Sequence, residues 1–537
     1  MRKQMKRILT MAAAVAVMIV LGGCTGNTGE ETVQPESNLT VESNTTEGST
    51  TTAENTDKTI QEGEAVYGGS IVVGIQNDLD SLDPHLAGSA GTSEVLFNIF
   101  EGLVKPNSEG ELIPAVASDY KISEDGMCYT FTLRDQVKFH NGEPVTIEDV
   151  IYSVKRCAGM LEDQTEPLVS AYSVIAEIRT PDERTIELVL SEADTELIGY
   201  LTEAILPEGY ENQASAPIGC GPFRFVSYAP QQSFVMERFE EYWGERPYLD
   251  RVEFRIAANT DSAMMELKAG TIDIYPYLTS DQANELSGQY EILIGTSNLV
   301  QALFLNNAAE PFQDVRVRQA LCYAIDAQEI MDMVADGYGT EIGSNMFPAF
   351  GKYYKDLSEY YSVDLNKAKE LLAQAGYPNG FEMTITVPSN YQFHIDTAQV
   401  IVEQLKQIGV NAKIELVEWA SWYSDVYRGR EFQSTIVGLD ADLAPKALLK
   451  RYGSEVKNNF IGFSDSEYDM VLEEALRTVD DQIKVNNYHR LQEILTEQAA
   501  SVFIQDAAVL IALNPELGGY TFYPVYVQDM SQVYYRK

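Results

Sequence analysis

Apolar and polar side chains alternate through residues 128–139, CYTFTLRDQVKF, which predicts a strand with Tyr129, Phe131 and Leu133 on one face. Val137 and Phe139 carry the alternation on as a following strand. Asn141-Gly142 supplies a turn, and Thr146 with Asp149 has the spacing of a capping box that opens a helix through Arg156. Residues 381–387, FEMTITV, alternate again. The next apolar set, Ala398, Ile401, Leu405 and Ile408, falls on one helical face and stops at Gly409. AKIELVEW then returns as a strand. Strand, helix and strand with short joins make a βαβ unit, which favours a right-handed crossover and a parallel sheet. Just upstream, Ala368, Leu371, Leu372 and Ala375 form another helical stripe, closed by Gly376 and Pro378. The body of the chain therefore reads as alternating α and β.

The N-terminal pattern is different. Arg2, Lys3, Lys6 and Arg7 precede an apolar run from Ile8 to Leu21. The run is shorter than the about 20 residues that a spanning helix needs, so it reads as a secretory signal. LGGC, residues 21–24, resembles the lipobox of bacterial lipoproteins. The resemblance implies cleavage before Cys24 and a diacylglyceryl group on its sulfur. From there to residue 66, Thr, Ser, Asn, Gly and Glu dominate, too polar to offset the entropy of ordering. The expected arrangement is a signal segment (1–23), a disordered tether (24–66) and a folded body held at an outer membrane face.

Composition narrows the partners. With 38 basic and 81 acidic residues the net charge is −43, which repels nucleic acid and anionic headgroups. About 470 residues after the tether are more than one core organises, so two or three lobes are expected. Cys128, Cys157, Cys220 and Cys322 include no CxxC pair and no disulfide framework; buried thiols are the favoured reading. His85, His140, His394 and His489 stand far apart without ligand spacing, against direct metal binding. GxSxG, HExxH and a Walker loop are absent, so no catalytic residue is assigned and no enzyme is expected.

One long stretch resembles a known family. VASDYKISEDGMCYTFTLRDQVKFHNGEPVTIEDVIYSVKR (116–156), GCGPFRF (219–225), ERFEEYWGERPYLDRVEFRI (237–256), ELKAGTIDI (266–274), LNNAAEPFQDVRVRQALCYAID (305–326) and AKELLAQAGYPNGFE (368–382) occur in the order typical of the peptide and nickel class, family 5, of ABC-transporter solute-binding proteins. DLDSLDPHLAG (78–88) fits as well. The resemblance implies an α/β fold of the type II periplasmic-binding-protein kind, with mixed sheets in two lobes joined by a hinge and an extra subdomain on the first. It places the first lobe at 67–296, with the subdomain at about 107–199, the second lobe at 297–506, and a return to the first at 507–537. A solute is held between the lobes and delivered to permease subunits with associated ATPases. The chain itself would be a monomer that carries no cofactor and meets the membrane only through its anchor.

In peptide-binding members a glycine-tryptophan pair after a strand precedes an aspartate that pairs with the peptide α-ammonium. In STIVGLDADLAPKAL (434–448) Gly438 matches, Asp442 has the corresponding spacing, and Asp440 is its rival. Leu439 replaces the tryptophan, which leaves open another solute: a nickel chelate, haem, an oligosaccharide or an amine. A sensor without transport is also compatible. Trp419 and Trp422 share a helical face, either packing between helix and sheet or walling the cleft. Tyr391 follows a strand end, where α/β ligands gather. Asp314 is read as a helix cap, Tyr242 and Trp243 as pins of a turn, and His140 as a turn residue.

Overall fold

The computed structural model describes residues 64–537 except 163, 165, 258, 259, 441–443 and 526, with the backbone but not the side chains of Thr260 and Asp440. The expected signal segment, Cys24, almost all of the expected tether, and Asp442 lie outside the described residues. Ala65 and Val66 do not belong to a tether: they pair with Arg536 and Tyr535, on the edge of the terminal strand opposite Leu517–Gly518. Among the described residues no helix is long and apolar enough to cross a membrane.

Of the five sheets among the described residues, three organise the chain. A seven-stranded mixed sheet runs, in spatial order, Glu291–Thr296, Ala508–Leu513, Ile274–Leu278, Ser70–Ile75, Arg251–Ile256, Ser233–Arg238 and Phe223–Ala229. A six-stranded mixed sheet runs Thr340–Glu341, Ser501–Asp506, Leu299–Leu305, Ser434–Asp440, Glu382–Pro388 and Asn411–Val417. A smaller antiparallel sheet holds Ala117–Ile122, Cys128–Leu133, Thr185–Leu190 and Ile175–Asp182. Both large sheets are apolar on both faces. In the six-stranded one Leu303, Leu305, Ile385 and Ile436 pack into one core, and Val300, Ala302, Phe304 and Val437 into another. Successive strand residues point to opposite faces, so helices must cover each.

Local signals explain most elements. Tyr129, Phe131 and Leu133 are buried on one face of the small sheet. The run expected to continue through Val137 and Phe139 forms no further strand: Gln136 has a φ of 65°, which breaks the extended chain, although both apolar residues are still buried. The Thr146–Asp149 capping box opens Ile147–Ala158, which ends at Gly159 with a φ of 70°. Asp314 caps Val315–Ala324, its carboxylate accepting the Arg316 N–H. Glu382–Pro388, Gln392–Lys406 and Asn411–Val417 form the βαβ unit, the strands pairing in parallel.

Topology places the strand ends. Glu382–Pro388, Asn411–Val417 and Ser434–Asp440 are parallel, and all end on the edge where Leu299 begins opposite Asp440. In the seven-stranded sheet, Ser70–Ile75, Arg251–Ile256 and Ile274–Leu278 are parallel and end on the edge where Thr296 pairs with Ala508. The chain crosses between these sheets twice, at residues 297–298 and at 507. Both sheets therefore turn the carboxyl ends of their parallel strands toward one junction.

Candidate functional site

At the six-stranded edge three segments converge. Tyr391 follows Glu382–Pro388, Trp419 follows Asn411–Val417, and Leu439 and Asp440 end Ser434–Asp440. Tyr391 meets the edge of the Trp419 ring with centroids 5.5 Å apart at 80°, and Trp419 stacks on Trp422 at 5.0 Å and 13°. The two tryptophans have different fates. Trp422 is buried, its indole N–H donating to Thr435 Oγ1 at 2.9 Å, and the Thr435 hydroxyl donates to the Thr386 carbonyl. Trp419 and Tyr391 are each 41% exposed, an apolar ledge fixed from below. The chain then continues as a π-helical turn, Trp422–Arg428. Leu439 is buried in the aromatic cluster with Trp422 and Val300.

Gly438 packs against the Leu299 side chain, which would have to move for any larger residue. A Cβ there would stand 2.0 Å from Leu299 Cδ2, and its N–H donates to His394 Nε2 at 3.2 Å. A neutral imidazole has one proton. The other His394 nitrogen, Nδ1, lies 2.9 Å from the Gln301 amide, whose oxygen accepts from Gln505 Nε2 at 2.8 Å. Burial pushes the His394 pKa down to about 4, so the ring is uncharged. One sign of this network lies in the helical spacing: His394, Ala398, Ile401 and Leu405 continue a single stripe, and all four are buried.

Where the two crossings lie side by side, Asp506 is almost fully buried. Its Oδ1 accepts the Leu299 N–H at 3.1 Å and the Ser297 hydroxyl at 3.4 Å, while Oδ2 has no partner among the described residues. Burial raises its pKa to about 7. Spacing alone did not point to this residue.

The facing edge belongs to residues 76–89, which follow Ser70–Ile75. Here every aspartate is engaged. Asp78 accepts the Tyr228 hydroxyl at 2.7 Å and the Gln231 N–H at 2.9 Å. Asp80 accepts the N–H groups of Gly88 and Ser89 at 2.8 and 3.0 Å. Asp83 forms a two-pronged pair with Arg156 at 2.7 and 2.9 Å. His85 donates from Nε2 to the Ala204 carbonyl at 2.8 Å and accepts from Arg156 at Nδ1. Cys157 and Glu203 approach the same ring, but neither nitrogen keeps a lone pair for a metal, and the guanidinium beside it opposes a cation.

A cavity of about 760 Å³ opens beside this loop, walled by Gly88, Ser89, Phe97, Arg134, Tyr523 and Asp529 among others. Its floor is Glu101, which accepts from the Tyr242 hydroxyl, Trp243 Nε1 and Lys105 at 2.5, 2.6 and 2.8 Å. Tyr242 and Trp243 are thus tied to the fold. The Tyr523 carbonyl accepts from Asn298 at the crossing, joining the cavity wall to the junction. The volume is in the range of small-molecule sites.

A family model for bacterial extracellular solute-binding proteins, family 5 (middle portion), matches residues 111–460. Heme-binding protein A of Haemophilus influenzae is 28% identical over 474 residues, covering 81% of this chain and 85% of that one. The dipeptide-binding protein of Escherichia coli is 26% identical, covering 77% and 84%. A solved ABC-transporter-associated periplasmic binding protein from Helicobacter pylori, in complex with the peptide STSA, is 27% identical, with a TM-score of 0.73 and coverage of 88% and 99%.

Proposed function

Since the chain belongs to the bacterial extracellular solute-binding proteins of family 5, with the type II periplasmic-binding-protein fold, we propose that it captures peptides for an ABC importer. The first lobe would comprise residues 67–296 and 507–537, and the second 297–506, hinged at 297–298 and 507. The observation that carries this reading is the convergence of both sets of strand ends on the two crossings, with the exposed Tyr391–Trp419 ledge beside the strand that leads to Asp440 and Asp442. The peptide α-ammonium would pair with Asp442 through a charge-assisted hydrogen bond of about 1.5–3 kcal/mol. The cavity above Glu101 would give room for further residues. Cys24 would carry the lipid that moors the protein outside the cell membrane, next to permease subunits served by ATPases. A peptide-binding relative solved with STSA supports peptide, and the named haem-binding relative marks the alternative.

Mass spectrometry of small molecules released from natively purified protein tests the solute class. Stoichiometric peptides with free amino termini are expected. A stoichiometric porphyrin, sugar or nickel chelate instead would overturn the peptide reading.

A further inference from the structure

Asp194, Thr195 and Glu196 follow Thr185–Leu190 of the small sheet, yet their side chains meet the second lobe. Glu196 Oε2 accepts the Lys446 N–H at 2.9 Å, and Oε1 lies 3.3 Å from Lys484 Nζ and accepts the Tyr488 hydroxyl. Lys446 Nζ pairs with Asp194, and Lys484 Nζ bonds Thr195 Oγ1. The side chains of Lys484 and Glu196 are only 7% and 10% exposed, and those of Lys446 and Asp194 17% and 14%. Burial and the Glu196 charge hold the Tyr488 phenol far above its ordinary pKa, so it stays a donor. The segment is rigid on its own side: Asp194 caps the Glu196 and Leu197 N–H groups, and its carbonyl accepts the Tyr129 hydroxyl at 2.5 Å. Next to it, Gly126 packs so close to Val479 that a Cβ would stand 3.0 Å from Cγ1.

Two features give this cluster a role. Among the described residues the crossings at 297–298 and 507 are the only covalent links between the two large sheets, and none of these contacts involves them; rotation about the crossings separates the partners. Lys446 also lies three residues beyond 441–443, the segment that carries Asp442.

We propose that Asp194–Glu196 is a closure latch and Glu196 a positioning residue for solute capture. By holding Lys446, Lys484 and Tyr488, the small sheet fixes the chain just after the solute loop only while the lobes are shut. The latch rests on the reading that solute is trapped between the lobes. It also makes closure sensitive to a single buried charge, since removing one partner leaves the other uncompensated.

The test compares full-length wild type with Glu196→Gln, Lys484→Met and the double variant. In X-ray scattering without solute, each single variant is expected to show a larger radius of gyration, with the double variant closer to wild type than Lys484→Met. With trialanine as the probe, release is expected to be about tenfold faster in the single variants while association changes little. Should Glu196→Gln not fold, Lys446→Met, which keeps the main-chain bond, takes its place. Scattering curves and release rates identical to wild type in both single variants would overturn the latch. If wild type does not bind trialanine, the peptide reading is in trouble, while the scattering comparison still decides the latch.

Discussion

The two edges that meet at the crossings use their carboxylates in opposite ways. On the first, Asp78 is spent on Tyr228 and Gln231, Asp80 on its own loop and Asp83 on Arg156. On the second, the buried Oδ2 of Asp506 has no partner among the described residues, and Asp440 ends the strand Ser434–Asp440. Acidity therefore does not mark a binding residue in a chain of this charge; what matters is whether the fold has already claimed the oxygen atoms. The first edge offers a shaped loop and a cavity. The second offers aromatic surface and a buried carboxyl oxygen of Asp506 with no partner among the described residues.

Breaking a claimed carboxylate should cost most. Asp83→Ala strands the largely buried Arg156 and is expected to destabilise the fold by about 3–5 kcal/mol in thermal or urea unfolding. A loss below about 1 kcal/mol would put Asp83 with the unclaimed acids and erase the contrast.

Asp506 should behave in the reverse sense. Its folded pKa, about 7, lies above the ordinary 3.8, so between those values the folded state holds a proton that the unfolded chain releases. Stability is thus fully present at the acid end and lost as pH rises toward 7. Asp506→Asn is expected to be more stable than wild type at pH 8, by up to roughly 4 kcal/mol, with the gap shrinking at pH 5. The buried His85 and His394 and the half-buried His140, each lowered to about 4, work the opposite way and lose stability as pH falls from 6.5 to 4. Comparing variant with wild type at each pH cancels them. A gap that is constant with pH would mean that Asp506 does not titrate there.

The smallest effect separates the paired tryptophans. Trp419→Ala should leave the melting temperature nearly unchanged while weakening peptide binding about tenfold, as for an exposed aromatic anchor. A large drop in stability with unchanged affinity would make Trp419 another packing residue like Trp422.

Much of the fold was legible because its causes are local. The Thr146–Asp149 box, the stripe from Ala398 to Leu405 and the Gly409 stop each lie within a few turns of chain. The site was legible only in part. The Tyr391–Trp419 ledge follows from strand ends, but the bonds that shape its surroundings span the sequence: Gln301 to His394 is 93 residues, Leu299 to Asp506 is 207, and Glu196 to Tyr488 is 292. No periodicity reports such pairings. The break at Gln136 also escaped the alternation pattern, because a single left-handed residue redirects a strand without changing which side chains are apolar.

The most direct measurement is calorimetric titration of wild type and Asp442→Ala with trialanine and with N-acetyl-trialanine. An ammonium held by that carboxylate requires the substitution to weaken the free-amine peptide by ten- to a hundredfold and the acetylated one hardly at all, a difference of about 1.5–3 kcal/mol. Equal losses for both peptides would contradict it.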